Sequence, residues 1–356
     1  MSQRILTPDY ILQEALAAHG TALTSYLQDK GVTTAVPKSQ NENDGGLTLT
    51  VLGCGTMGIA ILGGILGSLS DATTSSTSKD TISEQATPDR LPSRFNACVR
   101  SAASAQRIHA ELGHLAKFAS VKVCQDDTLE PVQQADIVLL CCKPHMVSEI
   151  LTQPGIAQAL AGKLVISICV GLDSKQIASM LPPSVEDKPH CTIACAMPNT
   201  AAAVRESMTI ISKSVPPLPA STEALVTWIF SRIGRVSYIA PNLMPVSAAL
   251  CGSGPAFVAV VVESLAAGAI AMGLPREDAY TMAAQMMRGT TGLLLRGEHP
   301  ALLRDKVSTP GGCTVRGLVV LEEGGVRGTV ARAVRETTVA ATPVQKHKAH
   351  VNVPAA

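Results

Sequence analysis

The sequence predicts an α/β fold: a parallel, doubly wound sheet followed by an all-α domain. Three observations carry this. A hydrophobic strand, TLTVL, runs into Gly53-x-Gly55-x-x-Gly58 and then into an apolar helix. Apolar strand runs then alternate with helical segments as far as Ile239. From about Asn242 the strand pattern stops, and helices punctuated by Gly and Pro follow.

Residues 1–46 precede the first strand and read as a variable extension with a short helix over 9–19. Acidic Asp9 and Glu14, with a single arginine, do not fit a transit peptide, and no secretory signal is visible. The helix after Gly58 is expected to run to about Leu69. Residues 70–94, rich in Ser, Thr and Pro, read as a polar surface insertion without fixed structure. FNACV (95–99) is the next strand, then a helix over 104–115, the strand VKVC (121–124), and a short acidic turn and helix. DIVLLCC (136–142) and KLVISIC (163–169) are continuous apolar runs, as expected of strands buried on both faces. TIACAM (192–197) and MTIIS (208–212) add strands. A helix over 221–233 and a strand over 236–239 finish a domain spanning 47–241. The domain over 242–356 is expected to hold helices at 255–272, 276–295, 314–323 and 328–338. Pro275 suits the start of the second. The first is apolar nearly all round and calls for burial on every side, which a homodimer through this domain supplies.

Composition narrows the function classes. The formal net charge of +1 over 356 residues gives no reason to expect nucleic acid or an acidic membrane surface as partner. Charged residues make up only 16% and mean hydropathy is +0.25, so the chain either spans a membrane or hides surface in an oligomer. The longest apolar stretch, 257–274, is interrupted by Glu263, Gly268 and Gly273 and lacks aromatic anchors at its carboxyl end, which favours burial against another subunit over a bilayer. The ten cysteines form no C-x-x-C pair. Cys191 and Cys195 have the spacing of one helix face, yet no histidine cluster completes a metal site, so no metal is expected. Small buried thiols in a reducing compartment, the cytoplasm, is the reading that follows.

The glycine turn carries the first chemistry. Leu52 ends the strand, Gly53 makes the turn, Gly55 lets a pyrophosphate approach the backbone, and Gly58 lets the helix pack on the strand; Cys54, Thr56 and Met57 fill the rest of a dinucleotide cradle. This makes the sheet domain Rossmann-type. An NAD-preferring site places Asp or Glu at the end of the second strand. Here that place holds Arg100 and Ser101, with Arg107 one turn later and no carboxylate. A cation and hydroxyls suit a 2′-phosphate, so NADPH is the expected cofactor and NADH the weaker one. Both arginines can also be read as solvated helix-start residues, Arg107 more readily than Arg100. A second glycine-rich segment, DKVSTPGGCTVRG, offers Gly311, Gly312, Cys313 and Thr314 at a helix start, where exposed amides suit a small carboxylate.

With these motifs in hand, the chain resembles the pyrroline-5-carboxylate reductase family over Leu47 to about Ala340. The resemblance rests on GCGTMG, CCKPH (141–145), AMPNT (196–200), ALCGSGPAF (249–257) and KVSTPGGCT (306–314). It implies reduction of 1-pyrroline-5-carboxylate to L-proline by NADPH, and a Rossmann domain followed by an α-helical dimerisation domain, with dimers that can assemble into rings. It implies Thr314 as the catalytic hydroxyl; Glu298, a short way upstream in RGEHP, is a second candidate that could order water or Thr314 and reads equally well as a solvated loop residue. Val307, Ser308, Gly311, Gly312, Cys313 and Asn199 are implied at the substrate. Cys141, Cys142, Lys143, Pro144, Cys169 and Lys306 are implied at the cofactor, while His145 is expected to order its turn. Three positions depart from the family pattern: Lys306, Ala201 and Cys251. Two alternatives stay open: a non-catalytic NADP-binding regulator, and a β-hydroxyacid dehydrogenase. The latter needs a helical lysine, and Lys306 is expected in a loop.

Overall fold

The computed structural model describes residues 45–74, 88–115, 119–182 and 191–342, with backbone alone at 71–74. The expected helix over 9–19 lies outside these residues.

The amino-terminal half is an eight-stranded sheet of order β3-β2-β1-β4-β5-β6-β7-β8. Its strands are β1 (Leu47–Leu52), β2 (Pro92–Val99), β3 (Ser120–Gln125), β4 (Ile137–Leu140), β5 (Leu164–Ser167), β6 (Thr192–Met197), β7 (Ser207–Ser212) and β8 (Gly234–Ile239). The order in which strands are added reverses between β1 and β4, which run parallel, and this is the switch point at which open α/β sheets bind ligands. Helices cover both faces. On one lie α1 (Thr56–Thr74), α2 (Ala102–Leu112) and α7 (Ala220–Ser231); on the other lie α3 (Leu129–Gln134), α4 (Val147–Leu151), α5 (Ile156–Ala159) and α6 (Ser174–Met180). The continuous apolar runs follow from this: in β4, Ile137 and Leu139 join one core and Val138 and Leu140 the other. Buried polar groups within the sheet are paired, with Asn96 Nδ2 donating to Thr50 Oγ1 (3.1 Å) and Thr50 Oγ1 donating to the Pro131 carbonyl (2.8 Å).

Several expectations need correction. The insertion is shorter than 70–94, because α1 continues to Thr74 and β2 begins at Pro92; residues 75–87 lie outside the described set. Arg94 belongs to the strand, where its guanidinium donates to Thr48 Oγ1 (3.0 Å) and the Gly46 carbonyl (2.8 Å). The sheet is not wholly parallel, since β6 and β7 run antiparallel. Only a 3-10 turn, Thr200–Val204, joins them, too short for the crossover that a parallel pair needs. Cys195 lies in β6 and Cys191 just before it, so the two share a strand approach and not a helix face.

The carboxyl-terminal half is helical: α8 (Met244–Ser247), a π-turn (Ala248–Gly252), α9 (Gly254–Ala271), α10 (Arg276–Leu295), α11 (Pro300–Val307), α12 (Cys313–Glu323) and α13 (Val326–Ala341). Helix α11 was not expected, and it takes Lys306 out of a loop. Helices α9 and α10 pack on each other, and α13 returns onto α8 and the π-turn. Most of this half is exposed. The segment Pro241–Ala271 is long and apolar enough to cross a membrane by length and composition, and only 6% of it is buried.

Candidate active site

The nucleotide half of the site sits over the carboxyl ends of β1, β2, β4 and β5. Gly53 has φ +76°, and a Cβ there would lie 2.8 Å from Cys142 Cα, so no side chain fits. A Cβ on Gly58 would press Cys54 Sγ and Val51 Cγ1 at 3.1 Å each, which is the close packing of helix on strand. Gly55 differs: a Cβ there would meet nothing nearer than 3.9 Å, so its surface is open. The first intrahelical bond of α1 is Ile59 N–H to the Gly55 carbonyl (2.9 Å). The amides of Thr56, Met57 and Gly58 are therefore left at the helix mouth, and its first turn holds no acid. An open glycine backed by aimed amides fits the pyrophosphate of a dinucleotide.

The rim is cationic. Ser101 caps α2, accepting from Ser104 N–H (3.2 Å), and the first turn of this helix is also free of acid. Arg100 spans the mouth to Met146, with Nη2 3.8 Å from Sδ. Arg107, which the sequence leaves open as a solvated residue, reaches back over the turn, with Nη2 3.9 Å from a Cβ built on Gly55. On the opposite side, Lys143 is extended before Pro144, as a pre-proline residue must be, and the turn closes by Met146 N–H donating to the Lys143 carbonyl (2.9 Å). His145 is exposed and its ring bonds to no described residue, so the backbone and not His145 orders this turn. The ends of β4 and β5 are stitched by Cys169, whose thiol faces the carbonyls of Cys142 (3.3 Å) and Leu140 (3.6 Å). Burial pushes the Cys54 thiol up to about 12, with the Arg107 charge pulling the other way. Its hydrogen bond with Cys169, and then burial, raise the Cys142 thiol, while that same bond lowers Cys169. Burial raises Cys141 as well.

The second half lies in the helical region. Gly311 has φ +72°, and a Cβ on Gly312 would strike Thr309 Oγ1 at 2.6 Å. Gly312 caps α12 without a side-chain bond, and no acid stands in the first turn of that helix. By contrast α10, not a site, carries Glu277 and Asp278 in its first turn. The Thr314 hydroxyl bonds to no described residue and is free to meet a ligand. Ser308 Oγ is spent on the Arg304 carbonyl (2.8 Å), and Val307 is exposed at the end of α11. Glu298 is engaged by Lys306, whose Nζ lies 2.7 Å from each carboxylate oxygen. No hydrogen bond joins it to Thr314.

Asn199 links the two halves. Its Oδ1 accepts from Ala201 N–H (3.1 Å), and its Nδ2 donates to the Cys251 carbonyl of the π-turn (2.9 Å). Both amide groups are thus committed to backbone. Among the described residues no hydrogen bond joins the glycine turn to the 306–314 loop.

Comparison with known proteins places both halves. Residues 241–343 match the family described as pyrroline-5-carboxylate reductase dimerisation, and residues 48–171 match NADP oxidoreductase, coenzyme F420-dependent. A pyrroline-5-carboxylate reductase of Lophium arboricola is 52% identical over 86% of this chain and 96% of its own length. One from Neurospora crassa is 47% identical over 86% and 95%. Among solved structures, a pyrroline-5-carboxylate reductase from Coxiella burnetii superposes with TM-score 0.67 at 25% identity, covering 84% of this chain and 98% of that one. The fold is also that of the Plasmodium falciparum pyrroline carboxylate reductase with NADP bound (TM-score 0.63, 24% identity, 83% and 97% covered).

Proposed function

The chain belongs to the pyrroline-5-carboxylate reductase family, and from that premise we propose that it reduces 1-pyrroline-5-carboxylate to L-proline with NADPH. One observation supports this above the others: two acid-free helix starts, each reached through a glycine turn, one shaped for a pyrophosphate and one for a small carboxylate.

In this reading Gly53 to Gly58 hold the dinucleotide phosphates. Arg100 and Ser101 favour the 2′-phosphate, and the ledge of Cys141, Cys142, Lys143, Pro144 and Cys169 carries the nicotinamide end. When bound, the reduced nicotinamide supplies a hydride to the imine carbon. The amides of Gly312, Cys313 and Thr314 hold the substrate carboxylate, with the helix dipole behind them. The Thr314 hydroxyl holds the proton at the ring nitrogen. Because the imine can enter already protonated, the chain needs to position the ring more than to supply a strong acid. Lys306 neutralises Glu298 and steadies the end of α11 beside the loop. Asn199 acts by fixing the π-turn to β6, a positioning role that differs from the direct substrate contact implied by resemblance.

The dimerisation region makes the protein self-associating. Copies meet through the exposed apolar helices, including Pro241–Ala271, and not through a bilayer; dimers can assemble further into rings. The protein works in the cytoplasm, where its thiols stay reduced. The test is NADPH oxidation followed by absorbance, with pyrroline-5-carboxylate and with 3-hydroxy acids. Turnover confined to the imine is expected. Nucleotide binding without turnover would favour a regulator, and turnover of hydroxy acids would favour the dehydrogenase alternative.

A further inference from the structure

We propose that Arg107 is a phosphate-binding residue of the nucleotide pocket, clamping the dinucleotide's pyrophosphate against the glycine turn. The inference rests on the nucleotide reading above and adds to it.

Arg107 stands on α2, beyond the cap formed by Ser101 and Ser104. Its guanidinium has two ends in two environments. Nε faces Glu111 Oε1 at 3.8 Å, one helical turn on. Nη2 overhangs Gly55, the one glycine of the turn whose surface is open. The ion pair is beyond ordinary hydrogen-bond distance and both side chains are about half exposed (44% and 53%). Such a pair contributes little stability and leaves the donors of Nη1 and Nη2 uncommitted. A planar guanidinium with free parallel donors is suited to phosphate oxygens, and the anion would lie between it and the amides at the start of α1.

Arg100 has a different place. It crosses to Met146 on the far side of the mouth, so the two arginines meet different parts of the ligand. The pyrophosphate is common to NADPH and NADH, while the 2′-phosphate is not. Arg107 should therefore set affinity for both cofactors, and Arg100 the preference between them.

The experiment is fluorescence titration of the purified full-length chain with NADPH and with NADH, without substrate. Arg107→Gln is expected to raise both dissociation constants roughly 10- to 100-fold, as loss of one charge-assisted hydrogen bond implies. The ratio between cofactors should change less than about twofold. Arg107→Lys should recover part of the loss, since charge is kept and the fork is not. Glu111→Gln, on the same exposed helix face, should leave both dissociation constants within about twofold, because the pair it breaks is weak. Unchanged dissociation constants in Arg107→Gln would overturn the proposal. So would a loss confined to NADPH, which would assign Arg107 to the 2′-phosphate. A parent chain that binds neither nucleotide would instead defeat the nucleotide reading itself.

Discussion

The two halves of this chain solve burial differently. The sheet domain closes both of its cores within one chain, with Leu49, Val51, Ile137, Leu139, Val138 and Leu140 shut away from water. Beyond residue 241 the only buried apolar side chains among the described residues are the alanines Ala249, Ala266, Ala279 and Ala283. Among the described residues, all but three of the exposed large hydrophobic side chains fall in that half, from Leu243 to Val339, with Met272 at 88% and Val260 at 62% exposure. An apolar surface of this extent marks an interaction site. The first half thus closes its cores within one chain, and the second leaves apolar surface to be covered, for which we propose another copy. Affinity for the nucleotide should be a property of the first alone, and turnover a property of both.

The largest effect expected from this contrast is in chemistry. Thr314→Ala should lower kcat/KM for pyrroline-5-carboxylate by about 100-fold, in the range for removing one positioned donor, while NADPH affinity stays within about twofold. Steady-state kinetics beside titration reads both, and a parallel loss of nucleotide affinity would break the division of labour. Next is assembly. Val260→Glu places a charge on the exposed face of α9 and should reduce the particle mass in light scattering without changing nucleotide affinity. The contrast would fail if the mass stayed unchanged, because that face would then not be the one a second copy covers.

A smaller effect is expected where the halves join. Asn199→Ala removes two side-chain hydrogen bonds, each worth about 1 kcal/mol net. It should lower Tm by a few degrees and reduce kcat more than NADPH affinity. Equal losses in both would move Asn199 from a positioning role to direct cofactor contact. The smallest effect is absent at neutral pH. Burial pushes Cys54, Cys191 and Cys195, all in the sheet domain, up to about 12, 11 and 12. A thiol whose folded pKa is raised contributes its full stability below the ordinary thiol range near pH 9 and loses it as pH rises toward the folded value. Tm should be flat to about pH 8 and fall above pH 9, less steeply in Cys191→Ala. An equally steep fall in that variant would remove Cys191 as a contributor.

What the sequence alone reveals follows the same division. The glycine turn and the strands β1, β4 and β5 are legible because glycine spacing and apolar runs are local properties. So is α10, which occupies the expected residues, Arg276–Leu295. The antiparallel entry of β7 is not legible from strand composition, since direction depends on the short connection after Asn199. Helix α11 is hidden by the polar stretch around His299 and Pro300, although Pro300 at its start is a helix signal in retrospect. Arg107 is ambiguous in one dimension, because an i,i+4 partner at Glu111 is also what a merely solvated arginine shows. Only the fold brings α2 over Gly55. The engagement of Glu298 by Lys306 is likewise unreadable until α11 turns the lysine back toward it.

Gly53 carries a consequence for how this molecule can vary over time. A methyl group there would collide with the Cα and N of residue 142, atoms that every amino acid carries, and the backbone is left-handed besides, so no replacement at 142 makes room for one at 53. Lineages descending from this sequence should therefore keep glycine at 53 whichever residue they carry at 142.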